Sequence, residues 1–187
     1  MATLLLADAG PLVALAHIQS LLLPQQLGFQ LLVPAAVFAE ATYSGKPQAE
    51  MIRMAALSPA AGFRVLPAAD DPLPELTRLG LGEASALRAA RDLGGSVLMD
   101  DLRGRRMAAR LGLSFFGTLA LLNLAREQRL VASLHPLFEA LLKNDYWLPL
   151  QPMLDLLARH GEAPSPRLLD FFLEKTSDSG RHHAKTH

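Results

Sequence analysis

The sequence predicts an α/β domain of three layers, α/β/α, built around a parallel sheet of about five strands. Short apolar runs alternate with segments of helical periodicity, as in parallel strands joined by crossover helices. The predicted strands lie near residues 3–7, 30–33, 63–66, 96–99 and 113–116. In the first of them, Leu4, Leu5 and Leu6 follow one another without polar alternation. Such a run is typical of a strand buried on both faces, so helices are expected on both sides of the sheet.

Length and composition limit the classes of protein. The chain has 187 residues, half of them hydrophobic, which suffices for one domain with a substantial core. Its 18 basic residues balance 18 acidic ones, so any nucleic-acid binding has to come from a local patch. Without cysteine it has no disulfide, thiolate zinc site or Cys nucleophile. No secretion signal or membrane span is evident, and we expect a soluble, cytoplasmic protein with no membrane partner.

The predicted domain occupies residues 1–160, with later helical patterns at 116–127, 133–143 and 149–160. The remainder, residues 161–187, is expected to be a C-terminal extension. It contains one short amphipathic segment, RLLDFFLEK, followed by a polar tail that we expect to be disordered. The chain also lacks a Gly-rich phosphate loop, so the sequence does not support use of a nucleoside triphosphate or dinucleotide.

Acidic residues follow or flank the predicted strands and helices at places where a metal site would need them. They are Asp8, Glu40, Glu83, Asp100 and Asp101. Carboxyl ends of parallel strands share one edge of a sheet, where open α/β folds place ligands. Carboxylates brought together there lose solvation, and a divalent cation with oxygen ligands can offset that cost. The sequence therefore predicts a cation site at this edge.

Each of these acids also has a structural interpretation that the sequence leaves open. Asp8 is placed to cap the helix that follows it. Glu40 is compatible with an ordinary solvated helix face, and Glu83 with a first-turn acid that complements the helix dipole. The pair Asp100 and Asp101 is compatible with one N-cap residue and a solvated neighbour.

A row of arginines lies on the predicted helix that follows these two aspartates. Arg103, Arg106 and Arg110 are spaced three and four residues apart, which places their guanidinium groups along one face. The apolar residues expected to face inward are Leu102, Met107 and Leu111. Guanidinium binds phosphate in a bidentate manner, so this row is a candidate nucleic-acid contact. A solvated helix face is the alternative.

A family resemblance rests on five segments. In chain order they are DAGPLVAL, VPAAVFAEA, LGLGEASAL, VLMDDLRGRRMAARLGLSFFGTLALLNLA and LHPLFEALLKNDYWL. Together, across residues 3–158, they resemble the PIN-domain family, and within it the bacterial and archaeal branch that is similar to VapC-type toxins. The resemblance implies a Rossmann-like sheet whose carboxylates bind Mg²⁺ or Mn²⁺ and hydrolyse RNA. It also implies an RNA substrate and an antitoxin protein as partners.

Carried over residue by residue, the resemblance makes Asp8 the first acid, Glu40 the second and Glu83 the third. Asp100 or Asp101 is the fourth. Metal ligation is expected from Asp8, Glu83, Asp100 and Asp101, with Asp8 and Asp101 as direct ligands. Glu40 and Glu83 would act as further ligands or hold metal-bound water.

Two positions depart from the family pattern. The hydroxyl residue often found two positions after the first acid is Gly10, and the third acid is Glu83 rather than the commoner Asp. A second interpretation is a binding module of this fold that acts through a protein partner or nucleic acid, and the apolar segments LLLP and YWLPLQPMLDLL are compatible with a dimer or antitoxin surface. A metal-dependent DNA nuclease is a third, although the chain is short of the helical arch that such enzymes need.

We also expect a homodimer, because the C-terminal third is rich in large apolar residues. They are Tyr146, Trp147, Leu148, Leu150, Met153, Leu154 and Leu157.

Overall fold

The sheet consists of five short parallel strands. They are β1 (Thr3–Ala7), β2 (Phe29–Pro34), β3 (Phe63–Leu66), β4 (Ser96–Leu98) and β5 (Phe115–Phe116). Their order across the sheet is β3-β2-β1-β4-β5, so the chain reverses its direction of winding at β1. This computed structural model describes residues 3–43, 45, 47–58, 62–68 and 74–170. The predicted parallel α/β sheet of five strands is confirmed.

Helices connect successive strands of the sheet, and further helices follow the last strand along the chain. The helices are α1 (Ala9–His17), α2 (Leu23–Gln26), α3 (Ala35–Thr42), α4 (Pro47–Leu57), α5 (Leu81–Leu93), α6 (Leu102–Arg110), α7 (Thr118–Glu127), α8 (His135–Lys143) and α9 (Leu150–Arg159). A 3₁₀ turn, Pro74–Leu76, precedes α5. No helix in the part of the chain that the structure describes is long and apolar enough to cross a membrane.

The central strand β1 is buried on both faces, as its uninterrupted apolar run predicts. Leu5 pairs with Leu31 of β2 on one side and with Ser96 of β4 on the other. Leu5 and Leu6 are fully buried. Burying one leucine contributes roughly 1.5–3 kcal/mol, so this layer stabilises the strand whose end carries Asp8.

The chain divides after Leu130 into two compact units. The first, Met1–Leu130, contains the sheet, and the second, Val131–His187, contains α8 and α9. Residues 166–170 are helical, and residues 171–187, with the rest of the predicted amphipathic segment and the tail, lie outside the described part. The predicted boundary at residue 160 stays a prediction.

Hydrogen bonds within the second unit join residues just after α9 to the start of α8. The Glu162 carboxylate accepts hydrogen bonds from the backbone N–H groups of Leu134 (2.9 Å) and His135 (3.0 Å). The Ser165 hydroxyl donates to Glu139 at 2.6 Å, and its backbone N–H donates to Nε2 of His135 at 3.2 Å. The hydroxyl bond lowers the pKa of Glu139. Glu162 thus supplies acceptors that the first turn of α8 lacks within its own helix.

Candidate active site

Asp8 lies immediately after β1, at the carboxyl edge of the sheet. Its backbone N–H donates to the Leu98 carbonyl at 2.9 Å, which continues the pairing of β1 with β4. The residue is only 7% exposed. It occupies the N-cap position of α1, yet its side chain makes no capping hydrogen bond to that helix's later amides. Helix capping therefore does not account for a buried carboxylate here.

The pKa of Asp8 is raised to about 7, first by burial, which penalises the charged form. The backbone N–H of Ala9 offsets part of this increase, and the negative charges of Glu83, Glu40 and Asp100 add to it. These three acids belong to α5, α3 and the segment after β4. The fold thus brings four of the sequence-predicted acids within electrostatic range of one another.

Glu40 reaches this region by packing against the first turn of α5. A Cβ atom at Gly82 would lie 2.5 Å from Oε2 of Glu40 and 3.6 Å from Cγ2 of Val37. Val37 is fully buried, so the face of α3 that enters the core also carries Glu40 toward α5. Gly82 leaves the space that the Glu40 carboxylate fills.

The Glu83 side chain has two roles, one in capping α5 and one in the electrostatics of the acidic cluster. Its Oε2 accepts a hydrogen bond from the backbone N–H of Gly80 at 3.1 Å, as the third helical residue of a capping box does. Its charge also raises the pKa of Asp8. Glu83 lies in the first turn of α5, where an acidic residue complements the positive end of the helix dipole. The first-turn interpretation and the site interpretation of Glu83 are therefore compatible.

Asp100 is held on both of its carboxylate oxygens. Oδ1 accepts from the Thr118 backbone N–H at 2.8 Å and from Nη2 of Arg105 at 2.9 Å. The Thr118 hydroxyl donates to Oδ2. Since Thr118 is the first residue of α7, another helix N-terminus faces an acid of the cluster.

Asp101 makes different hydrogen bonds from those of the neighbouring Asp100. Its Oδ1 accepts from the backbone N–H groups of Arg103 (2.8 Å) and Gly104 (2.9 Å), which makes it the N-cap of α6. It is exposed and is not among the groups that raise the pKa of Asp8. The expected role of Asp101 as a direct metal ligand stays a prediction. Of the two adjacent aspartates, Asp100 is the one whose charge raises the pKa of Asp8.

The buried face of α6 differs from the one that the sequence predicted. Leu102, expected to face inward, is 58% exposed, whereas Gly104 and Ala108 are the buried positions. A Cβ at Gly104 would overlap Sδ of Met99, so the helix backbone packs directly on the end of β4. The predicted inward face was therefore wrong for Leu102.

The three arginines of the predicted row are all exposed: Arg103, Arg106 and Arg110. Nη2 of Arg103 donates to the backbone carbonyl of Arg78 at 3.0 Å. Their exposure agrees with either a nucleic-acid contact or a solvated face.

Sequence reasoning missed Arg105 and Thr118. Arg105 lies one position away from the arginine row and was not singled out, although it is the arginine that binds Asp100. Thr118 follows Gly117, in the quoted segment FFGTLAL. A hydroxyl residue at the start of a helix that follows a short strand is a signal that could have drawn attention to it.

The donor set consists of carboxylate oxygens, which suits a hard divalent cation such as Mg²⁺. Within the described residues, no group of three or more Asp, Glu or His side chains is close enough to form a ready-made cation site. The acids share an electrostatic environment without forming a closed ligand sphere. The raised pKa of Asp8 fits a cation, because a positive charge would relieve the repulsion that the other acids exert.

Comparison with known proteins assigns the family. The family model described as PIN domain (DUF3368) matches residues 4–162. The chain belongs to this PIN-domain family. The resemblance that the sequence segments indicated is thereby confirmed for the family, while the VapC-type branch is not distinguished.

Among curated proteins, none matches this PIN domain. A solved structure of a PilT N-terminus domain protein from the hyperthermophilic archaeon Sulfolobus solfataricus P2 matches part of the chain. It is 17% identical, the match covers 64% of this chain and 90% of that chain, and the TM-score is 0.49. PIN domains are generally nucleases that use divalent metal ions.

Proposed function

We propose that this PIN domain is a Mg²⁺- or Mn²⁺-dependent endoribonuclease, a toxin-like enzyme that hydrolyses RNA phosphodiesters through its carboxylate cluster. The observation that carries the proposal is Asp8. It is a buried acid at the carboxyl edge of a parallel sheet, with a pKa raised to about 7 by burial and by three neighbouring acids. Structural acids are seldom placed in such an environment, whereas acids of metal and catalytic sites often are.

Four residues would hold the cation: Asp8, Glu40, Glu83 and Asp100. Lewis-acid activation of the phosphodiester and of water is the chemistry that a bound Mg²⁺ or Mn²⁺ supplies. The protein contributes the orientation of Asp100, through Arg105 and Thr118, and the low solvent exposure of Asp8. Gly10, two residues after Asp8, offers no hydroxyl to the cluster.

Asp100→Asn is expected to lower the rate of RNA cleavage by about a hundredfold or more. Asp101→Asn is expected to retain most of the wild-type rate. The first variant removes one charge from the cluster. The second leaves an N-cap residue, since Asn caps helices about as well as Asp does. The measurement is cleavage of a broad panel of single-stranded and structured RNAs with Mg²⁺, with Mn²⁺ and with chelator.

The two variants control each other, because they lie next to each other and change the net charge equally. Equal loss of cleavage in both would contradict the assignment of Asp100. A folded wild-type protein that cleaves no RNA of the panel with either metal would overturn the proposed function and favour the binding-module alternative.

The exposed arginines of α6 are proposed to bind RNA phosphates: Arg103, Arg106 and Arg110. We expect Arg106→Ala to weaken RNA binding and to reduce the slope of log affinity against log salt by about 0.7 to 1, because one phosphate contact is lost. Fluorescence anisotropy at several salt concentrations measures this. Arg64→Ala, which removes an exposed arginine of β3 at the far edge of the sheet, is the charge-matched control. Equal slopes for both variants and wild type would indicate a merely solvated face.

An antitoxin partner, a homodimer and a cytoplasmic location belong to the same proposal. The apolar surface from which the dimer was inferred is smaller than the sequence suggests, because Leu148, Met153 and Leu157 are buried within the chain. Trp147, at 40% exposed, is the largest apolar side chain that remains accessible in that segment. The dimer stays a prediction.

A further inference from the structure

Arg105 is a cation beside an acidic cluster, and its hydrogen bonds show what it does there. Nε donates to the Met99 carbonyl at 2.7 Å, and Nη2 donates to Oδ1 of Asp100 at 2.9 Å. One planar guanidinium therefore joins the backbone of Met99, just after β4, to the carboxylate of the next residue, Asp100. Its fixed geometry sets the carboxylate's direction more tightly than a lysine ammonium would.

Thr118 and Gly117 complete this arrangement from the opposite side. Thr118 donates to both oxygens of Asp100, through its backbone N–H and its hydroxyl. A Cβ at Gly117 would lie 2.9 Å from Oδ1 of Asp100 and would overlap the Arg105 guanidinium. The absence of a side chain at Gly117 thus allows the guanidinium and the carboxylate to meet.

We propose that Arg105 is a positioning residue that, with Thr118, fixes the orientation of the Asp100 carboxylate for divalent-cation binding. The inference rests on the proposed function, since it concerns the cation that the cluster would hold. Arg105 itself need not contact the cation or RNA. Outer-shell partners of this kind typically contribute ten- to hundredfold to metal affinity.

Charge and orientation predict opposite effects of Arg105→Gln on cation affinity. Removing a positive charge next to a cation site should strengthen Mn²⁺ binding if Arg105 only compensates charge. Losing the fixed orientation of Asp100 should instead weaken Mn²⁺ binding, and we expect a ten- to hundredfold loss. Thr118→Val leaves every charge in place and removes one hydrogen bond to Asp100, so it should also weaken binding.

Titration calorimetry with Mn²⁺ on the full chain tests the proposal. The variants are Arg105→Gln and Thr118→Val, with Arg64→Gln as a charge-matched control whose affinity should equal that of wild type. Circular dichroism without metal establishes that each variant is folded, and if one is not, the other decides.

Unchanged or tighter Mn²⁺ binding in Arg105→Gln, or unchanged binding in Thr118→Val, would overturn the positioning role while leaving the proposed function intact. A wild-type chain that binds no Mn²⁺ would overturn both.

Discussion

Replacing Asp8 by Asn is expected to raise the free energy of unfolding at pH 8, measured without divalent cations, by as much as about 4 kcal/mol. The carboxyl group has a folded-state pKa of about 7, roughly three units above its value in an unfolded chain. Each unit corresponds to about 1.4 kcal/mol that is lost when the buried group ionises. Asn is close to Asp in shape and does not ionise, so the variant avoids this cost.

The sign of the pH dependence follows from the raised pKa. Below about pH 4 Asp8 is protonated in both the folded and the unfolded chain, and its contribution to stability is fully present. As pH rises toward 7, the unfolded chain releases this proton more readily than the folded one, and stability falls. Urea denaturation at pH 5 and pH 8 in chelator should show the wild type losing stability relative to Asp8→Asn. Equal differences at both pH values would contradict the raised pKa.

A divalent cation should reverse the order of the two proteins. Mg²⁺ or Mn²⁺ is expected to raise the melting temperature of the wild type, because a ligand that binds only the folded state stabilises it. The Asn variant should respond little and should not cleave RNA. Identical melting curves of the wild type with and without metal would argue for the binding-module alternative.

Gly82→Ala is expected to lower metal-dependent RNA cleavage by about ten- to hundredfold without destabilising the fold. The added Cβ would lie 2.5 Å from Oε2 of Glu40, so the end of that flexible side chain has to move away. Alanine is also the better helix former, by roughly 1 kcal/mol. We therefore expect the free energy of unfolding to be unchanged or higher while the rate falls.

Ser85→Ala is the matched control for Gly82→Ala. It also introduces alanine into α5, but at a position that lines a separate apolar groove with Leu66 and Leu93. Its rate of RNA cleavage should equal that of the wild type. If Gly82→Ala were as active as this control, the position of Glu40 would have no part in catalysis.

The sheet and its carboxyl edge could be predicted because both depend on local pattern. The apolar run of β1 specifies a buried strand whatever the rest of the chain does, and Asp8 is the first charge after it. The order of strands then brings the end of β4, and with it Asp100, beside Asp8. Periodicity and the position of charges were sufficient for this part.

The division of roles between Asp100 and Asp101 could not be predicted, because it depends on contacts between elements distant in sequence. Asp101 caps α6, whose Gly104 packs against Met99. In this orientation of the helix, Leu102 is exposed to solvent. Asp100 in turn binds Thr118 of α7, eighteen residues later, and Gly117 leaves room for the Arg105 guanidinium beside it. Spacing along one helix contains no information about these packing partners.

Any shortened version of this protein has to keep Glu162 and Ser165. A truncation after residue 160, where the sequence suggested that the domain ends, would delete the carboxylate that accepts from the backbone amides of Leu134 and His135. A backbone N–H group that is left without an acceptor costs roughly 1–3 kcal/mol of stability when water cannot take the place of the carboxylate. Fragments intended for crystallisation or fusion are better ended beyond Leu168, which is buried.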